Sequence, residues 1–187
     1  MYEYNSPIGS IYPTLTGTRV IDTPDPARLL DTVCHQAAHS VAVKRAFFEA
    51  NAQRIVDMAG AVADVYRAGG RLLAMGHGGS GCDAELFTVQ FMYPASTGRP
   101  SLPVVNLAAG TAQFTAAADL VGYDYVFVRQ LIGHARPGDG LIGFSCDGNS
   151  LVLLRAFRRA RELGLITLGL CGGADGGEMA TSPDIDY

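Results

Sequence analysis

The chain has 187 residues, 48% hydrophobic and 17% charged, which suits one globular domain with a sizeable core and excludes a disordered or fibrous class. A formal net charge of −4 and the lack of any Lys/Arg block give no basis for direct nucleic-acid binding. No apolar run reaches membrane-span length, and the N-terminus lacks a basic start followed by an apolar stretch, so neither a membrane partner nor a secretory signal is expected.

Residues 1–25 are rich in Pro, Gly, Thr and Tyr without a sustained period, and read as an extended arm ahead of one domain over 26–187. Asp25-Pro26 carries the cap and first-turn chemistry of a helix start. From Ala27 to Ala68 the apolar residues fall at helical spacing, and this length predicts two consecutive helices, broken near Asn51 and closed by Gly69-Gly70. The rhythm then changes. Short apolar runs at Arg71–Met75, Pro103–Leu107, Gly140–Phe144 and Leu165–Leu170 alternate with helical segments at Cys82–Met92, Thr111–Ala118, Tyr125–Ala135 and Ser150–Leu163. Such alternation predicts a parallel sheet covered on both faces. Asp184–Tyr187 reads as the start of one more edge strand, whose covering helix would have to come from another copy or from further sequence.

In an open parallel sheet, ligands sit beyond the C-terminal ends of the strands. Three polar, glycine-rich segments fall there: Gly76–Asp83, Ser145–Ser150 and Cys171–Gly177. Glycine lets backbone approach a ligand closely, and a helix start offers unpaired N–H groups. Gly76, Gly78 and Gly81 also match the dinucleotide fingerprint, but no Asp or Glu lies between Arg99 and Gly110 to hold a ribose. No G-K-[ST] follows any glycine run, which excludes a P-loop. The four cysteines, Cys34, Cys82, Cys146 and Cys171, form no CxxC pair and read as reduced thiols of a cytoplasmic protein. Met58, Met75 and Met92 read as core. Asp175 with Gly176-Gly177 reads as a turn leading into a helix.

The segments GHGGSGCDA, RPSLPVVNLA, GDGLIGFSCDGNS and LCGGADGGEMA resemble, in order and spacing, the motifs of bacterial phosphoheptose isomerases within the sugar-isomerase (SIS) family. They are also similar to those of a non-catalytic relative that associates with the replication initiator. The resemblance runs from about Cys34 to Tyr187. It implies an α/β fold, a three-layer SIS domain with a parallel five-stranded, flavodoxin-like sheet and an N-terminal helical pair. It further implies a homotetramer with sites at subunit interfaces and a sugar phosphate as ligand.

Carried over residue by residue, the resemblance assigns substrate contacts to Gly78, Gly79, Ser80, Asp119, Ser145 and Ser150, with His77, Cys146 and Asp147 replacing family residues in the same loops. The family's metal-binding and proton-moving His and Glu align with Leu86 and Gln90. Leu86 can bind neither metal nor proton, and Gln90 is no base, although it can still contact a substrate. No cofactor is therefore expected, zinc included, since the zinc ligand positions are not retained. The reading that follows is a sugar-phosphate-binding or regulatory protein. The alternative is a divergent ketose–aldose isomerase using His77 or Glu85, although Glu85 should point about 100° away from its neighbour Leu86 on the helix.

Overall fold

The computed structural model describes residues 25–173 and 175–187, so the predicted arm at 1–25 lies, but for Asp25, outside the described residues. Two compact units divide the chain, one ending at Ala50 and the other spanning Asn51–Tyr187. Helix α1 runs over Pro26–Arg67, where a pair of helices had been expected. Asp25 caps it as predicted, its Oδ1 accepting from Ala27 N at 3.1 Å. Asn51 does not break it, because Asn in a helix interior costs only about 0.7 kcal/mol relative to Ala and no Pro stands nearby.

In the unit Asn51–Tyr187, α1 ends where Gly69 takes φ 81. Gly69 N then donates to Tyr66 O at 3.0 Å and Gly70 N to Val65 O at 2.9 Å. These two bonds satisfy carbonyls the last turn leaves open. Strand β1 (Leu72–Met75), helix α2 (Gly79–Met92), β2 (Val104–Asn106), α3 (Thr111–Val121), α4 (Val126–His134), β3 (Gly140–Ser145), α5 (Leu151–Glu162) and β4 (Ile166–Cys171) follow. Short 3-10 turns at Tyr123–Tyr125 and Glu178–Thr181 complete the order.

All strand pairs are parallel, and their order is β2-β1-β3-β4. Alternate strand residues feed opposite faces. Leu73, Met75 and Leu141 pack with Phe127, Leu131, Leu153 and Phe157 on one side. Leu72, Ala74, Ile142 and Leu168 pack with Val65 and Ala84 on the other. The layers on both faces are those the apolar runs predicted. Close packing constrains Gly143, where an added Cβ would stand 2.6 Å from the Phe157 ring.

The sheet has four strands among the described residues, where five were expected. At the predicted fifth strand only the last two residues meet β4 through backbone: Asp186 N and Tyr187 N donate to Thr167 O at 3.1 and 3.2 Å, and Tyr187 O accepts from Gly169 N at 2.8 Å. Asp186 contributes side-chain bonds beside it, its Oδ2 accepting from both Thr167 N and Thr167 Oγ1 at 3.0 Å.

Candidate functional site

Strand order reverses between β1 and β3, where β2 lies to one side and β4 to the other. The loops leaving β1 and β3 therefore diverge to opposite faces and open a crevice between them. Two side-chain contacts tie these loops together. His77 Nε2 lies 2.8 Å from Ser150 Oγ, and Ser80 Oγ lies 3.3 Å from Cys146 Sγ. Gly76 allows the first turn to close, since a Cβ there would stand 2.2 Å from the Ser80 carbonyl oxygen.

Beside these contacts lies a cavity of about 620 Å3. That volume suits a ligand of metabolite size. His77 and Gly78 line it from the first loop, and Cys82, Glu85, Leu86 and Val89 from α2. Asn106 and Ala108 enter from the end of β2, with Phe114 and Tyr123 from the segment beyond. The His77 ring meets the Tyr123 ring edge-on, with centroids 6.1 Å apart.

Glu85 was expected to point about 100° away from Leu86, and both line the cavity. The lining residues of α2 are Gly81, Cys82, Glu85, Leu86 and Val89, a stripe about 140° wide at 100° per residue, so adjacent positions both fit within it. The opposite side of the helix buries Ser80 and Ala84. Gln90 falls just outside the stripe and is exposed, so it is neither on the cavity wall nor in the core. Asp119 is exposed on α3 and likewise off the wall. Gly79 is exposed at the start of α2, and Ser80 is buried behind it.

The β3 loop satisfies its own polar groups. Ser145 Oγ accepts from Gly148 N at 3.0 Å and donates to Asp147 Oδ1 at 3.3 Å. Asp147 Oδ1 also accepts from Asn149 N at 3.0 Å. The Asn149 bond holds the Asp147 carboxyl below its ordinary value, with smaller help from Ser145 and the nearby His77. The third loop braces this one. Met179 N donates to Gly148 O, and Glu178 N to Asn149 Oδ1, each at 3.0 Å. Asp175 makes the expected turn, accepting from Gly177 N at 3.1 Å ahead of the 3-10 turn.

Cys82 lies on the cavity wall, whereas Cys146 and Cys171 do not. Burial pushes the Cys171 thiol up. Of the two α2 positions that the resemblance gives to metal and proton chemistry, Leu86 lies on the wall and offers no donor, and Gln90 lies off it. Among the described residues, no group of three or more His, Cys, Asp or Glu could hold a metal.

Asn106 is a cavity residue that the glycine-rich loops did not announce. Its Nδ2 donates to Glu85 Oε2 at 2.7 Å while its Oδ1 accepts from Ala108 N at 2.9 Å. A lone amide closing an apolar strand run was the available signal. Phe114 and Tyr123, two large aromatics beyond β2, gave none that distinguished them from core.

Among the described residues no helix is long and apolar enough to cross a membrane. Residues 37–172 match the SIS domain family. The chain is 39% identical over 160 residues to the phosphoheptose isomerase of Chlorobaculum tepidum, covering 84% of this chain and 76% of that protein. It is 39% identical over 134 residues to that of Rhodospirillum rubrum, covering 72% and 71%. The solved phosphoheptose isomerase from Neisseria gonorrhoeae superposes with a TM-score of 0.76 at 29% identity, over 84% of this chain and 83% of that one. The one from Francisella tularensis gives 0.75 at 26% identity, over 83% and 82%. With its β2-β1-β3-β4 sheet and crevice at the β1/β3 switch, this chain belongs to the SIS domain family and is homologous to the phosphoheptose isomerases.

Proposed function

We propose that the cavity binds a sugar phosphate and that the protein acts on it as a ketose–aldose isomerase, with Glu85 moving the proton between carbons. The observation that carries this reading is that Glu85 and His77 line one cavity. Such a reaction needs a base beside the carbon next to the carbonyl and an acid–base group at the oxygens, each worth roughly 10²–10⁴-fold. Glu85 takes the proton from that carbon, the carbonyl oxygen is protonated to give an enediol, and the proton returns to the neighbouring carbon. His77, held by Ser150, exchanges the oxygen-bound protons.

Sedoheptulose 7-phosphate is the test substrate, by analogy with the homologous isomerases. Aldose formation and solvent-hydrogen exchange at the substrate carbon are measured for the wild type and for Glu85→Gln. Turnover lost in Glu85→Gln, with ligand-induced thermal stabilisation retained, supports the reading. Wild-type protein that neither isomerises nor exchanges the substrate hydrogen overturns it.

A second reading, binding without turnover, is favoured by Leu86 on the wall and Gln90 off it, since neither can do the family's proton chemistry. Thermal stabilisation by the sugar phosphate with no exchange would favour this second reading. Under either reading we propose that copies of the chain associate, as homo-oligomers, through the exposed apolar residues of Pro26–Ala50.

A further inference from the structure

We infer that Asn106 is a positioning residue for Glu85, an inference that rests on the isomerase reading above. Three observations join here. The Asn106 amide is oriented unambiguously, because its Oδ1 takes the Ala108 N–H at 2.9 Å and a flipped amide would oppose two N–H groups. Its Nδ2 therefore faces Glu85 Oε2, at 2.7 Å. Both side chains belong to the cavity wall.

The consequence is an asymmetric carboxylate. Glu85 is exposed on α2, and a free glutamate there would sample several rotamers. The amide anchors one oxygen by a charge-assisted bond. Oε1 takes no protein hydrogen bond among the described residues and is left to meet a substrate proton. Asn106 sits at the end of β2, whose backbone is held in register by β1, and Leu107 N donates to Ala74 O at 2.9 Å just beyond it. A rigid strand end thus aims a flexible helix side chain. Effects of this kind belong to orientation, where small displacements cost large factors in rate.

Asn106→Asp separates aiming from packing. It keeps the shape and the acceptor for Ala108 N, but an ionised aspartate cannot donate to Glu85. Asn106→Ala removes both bonds. The variants are compared with wild type and Glu85→Gln by kcat and KM for sedoheptulose 7-phosphate, and by thermal unfolding. The expected result is a kcat about 10- to 100-fold lower in both Asn106 variants, the rate equivalent of one charge-assisted hydrogen bond, with KM within about 3-fold of wild type. Asn106→Asp keeps the Ala108 bond but sets two carboxylates side by side, and should unfold modestly below the wild-type temperature.

A residue serving only the β2 turn would leave Asn106→Asp near wild-type kcat, and that outcome overturns the inference. If instead Glu85→Gln turns over normally, isomerisation stands but Glu85 is not the base, and the assignment that Asn106 is inferred to serve fails whatever the Asn106 variants do. Wild type without turnover also removes the reaction that Asn106 is inferred to serve.

Discussion

His77 Nε2 and Ser150 Oγ meet at 2.8 Å although they stand 73 positions apart in the chain. The contact links the turn after β1 to the start of α5, across the line where the strand order reverses. Ser150→Ala should cost about 1 kcal/mol or less in denaturant unfolding, the net worth of a neutral hydrogen bond. It should also free the His77 ring, so ligand affinity should fall further than stability does. Calorimetric titration with sedoheptulose 7-phosphate, alongside unfolding curves, compares the two losses.

Gly148 is the tightest backbone position in the site. Its φ is +72, and an added Cβ would stand 1.8 Å from the Gly176 carbonyl oxygen. Gly148→Ala should therefore destabilise the fold by on the order of 4 kcal/mol, since backbone must move on both loops. Gly164→Ala is the control, with φ +78 but no atom within 4 Å of the added carbon. It should cost only the left-handed penalty, about 1–2 kcal/mol. Paired urea melts of the two variants test the difference.

Asp186 sets an acid response. Burial pushes its carboxyl up, but bonds from Thr167 N, Arg161 and Thr167 Oγ1 outweigh this and leave it below its ordinary value. A carboxyl lowered on folding adds stability that is full above the unfolded value, about 3.9, and is lost as pH falls through the lower folded value. Asp186→Asn should accordingly destabilise the protein near neutral pH and flatten the decline in melting temperature below about pH 4. Thermal melts from pH 7 to pH 2.5 check both features.

Asp147 occupies donors that an incoming anion would use. Its carboxylate accepts from Asn149 N and Ser145 Oγ within its own loop. A phosphate arriving there must displace an anion the chain already carries. Asp147→Ser should therefore increase the thermal shift produced by a sugar phosphate more than that produced by the unphosphorylated sugar.

Leu30 and Phe48 are 66% and 57% exposed on the unit that ends at Ala50, more apolar area than a solitary helix face would leave in water. Sedimentation at micromolar concentration should give a species larger than one chain. Leu30→Glu combined with Phe48→Glu should shift it toward the monomer.

The sheet was legible because strands covered on both faces are apolar without interruption, and all four runs were bounded by glycine or polar turns. The long helix was misread because Asn51 is a weak breaker, and propensity yields to a continuous apolar pattern. The faces of α2 were harder. Motif alignment marks positions along a helix, but which side chains meet a cavity depends on the width of the exposed stripe. Glu85 entered that stripe and Gln90 fell past its edge. Asp119 shows the same limit on α3, where correspondence in sequence does not bring the carboxylate to the wall. Asn106 showed only as a lone amide closing an apolar run, because its bond to Glu85 spans 21 positions of sequence.

The cavity wall has two characters, with His77, Glu85 and Asn106 polar and Leu86, Val89, Phe114 and Tyr123 apolar. Sugars are two-faced as well, since ring carbons present C–H surfaces between their hydroxyls. Such a wall would distinguish epimers. Inverting one carbon would turn a hydroxyl from a hydrogen-bonding neighbour toward Phe114 or Leu86, losing the bond and burying the polar group together. Stereochemical preference would then be written into the side of the chamber that takes no part in moving protons.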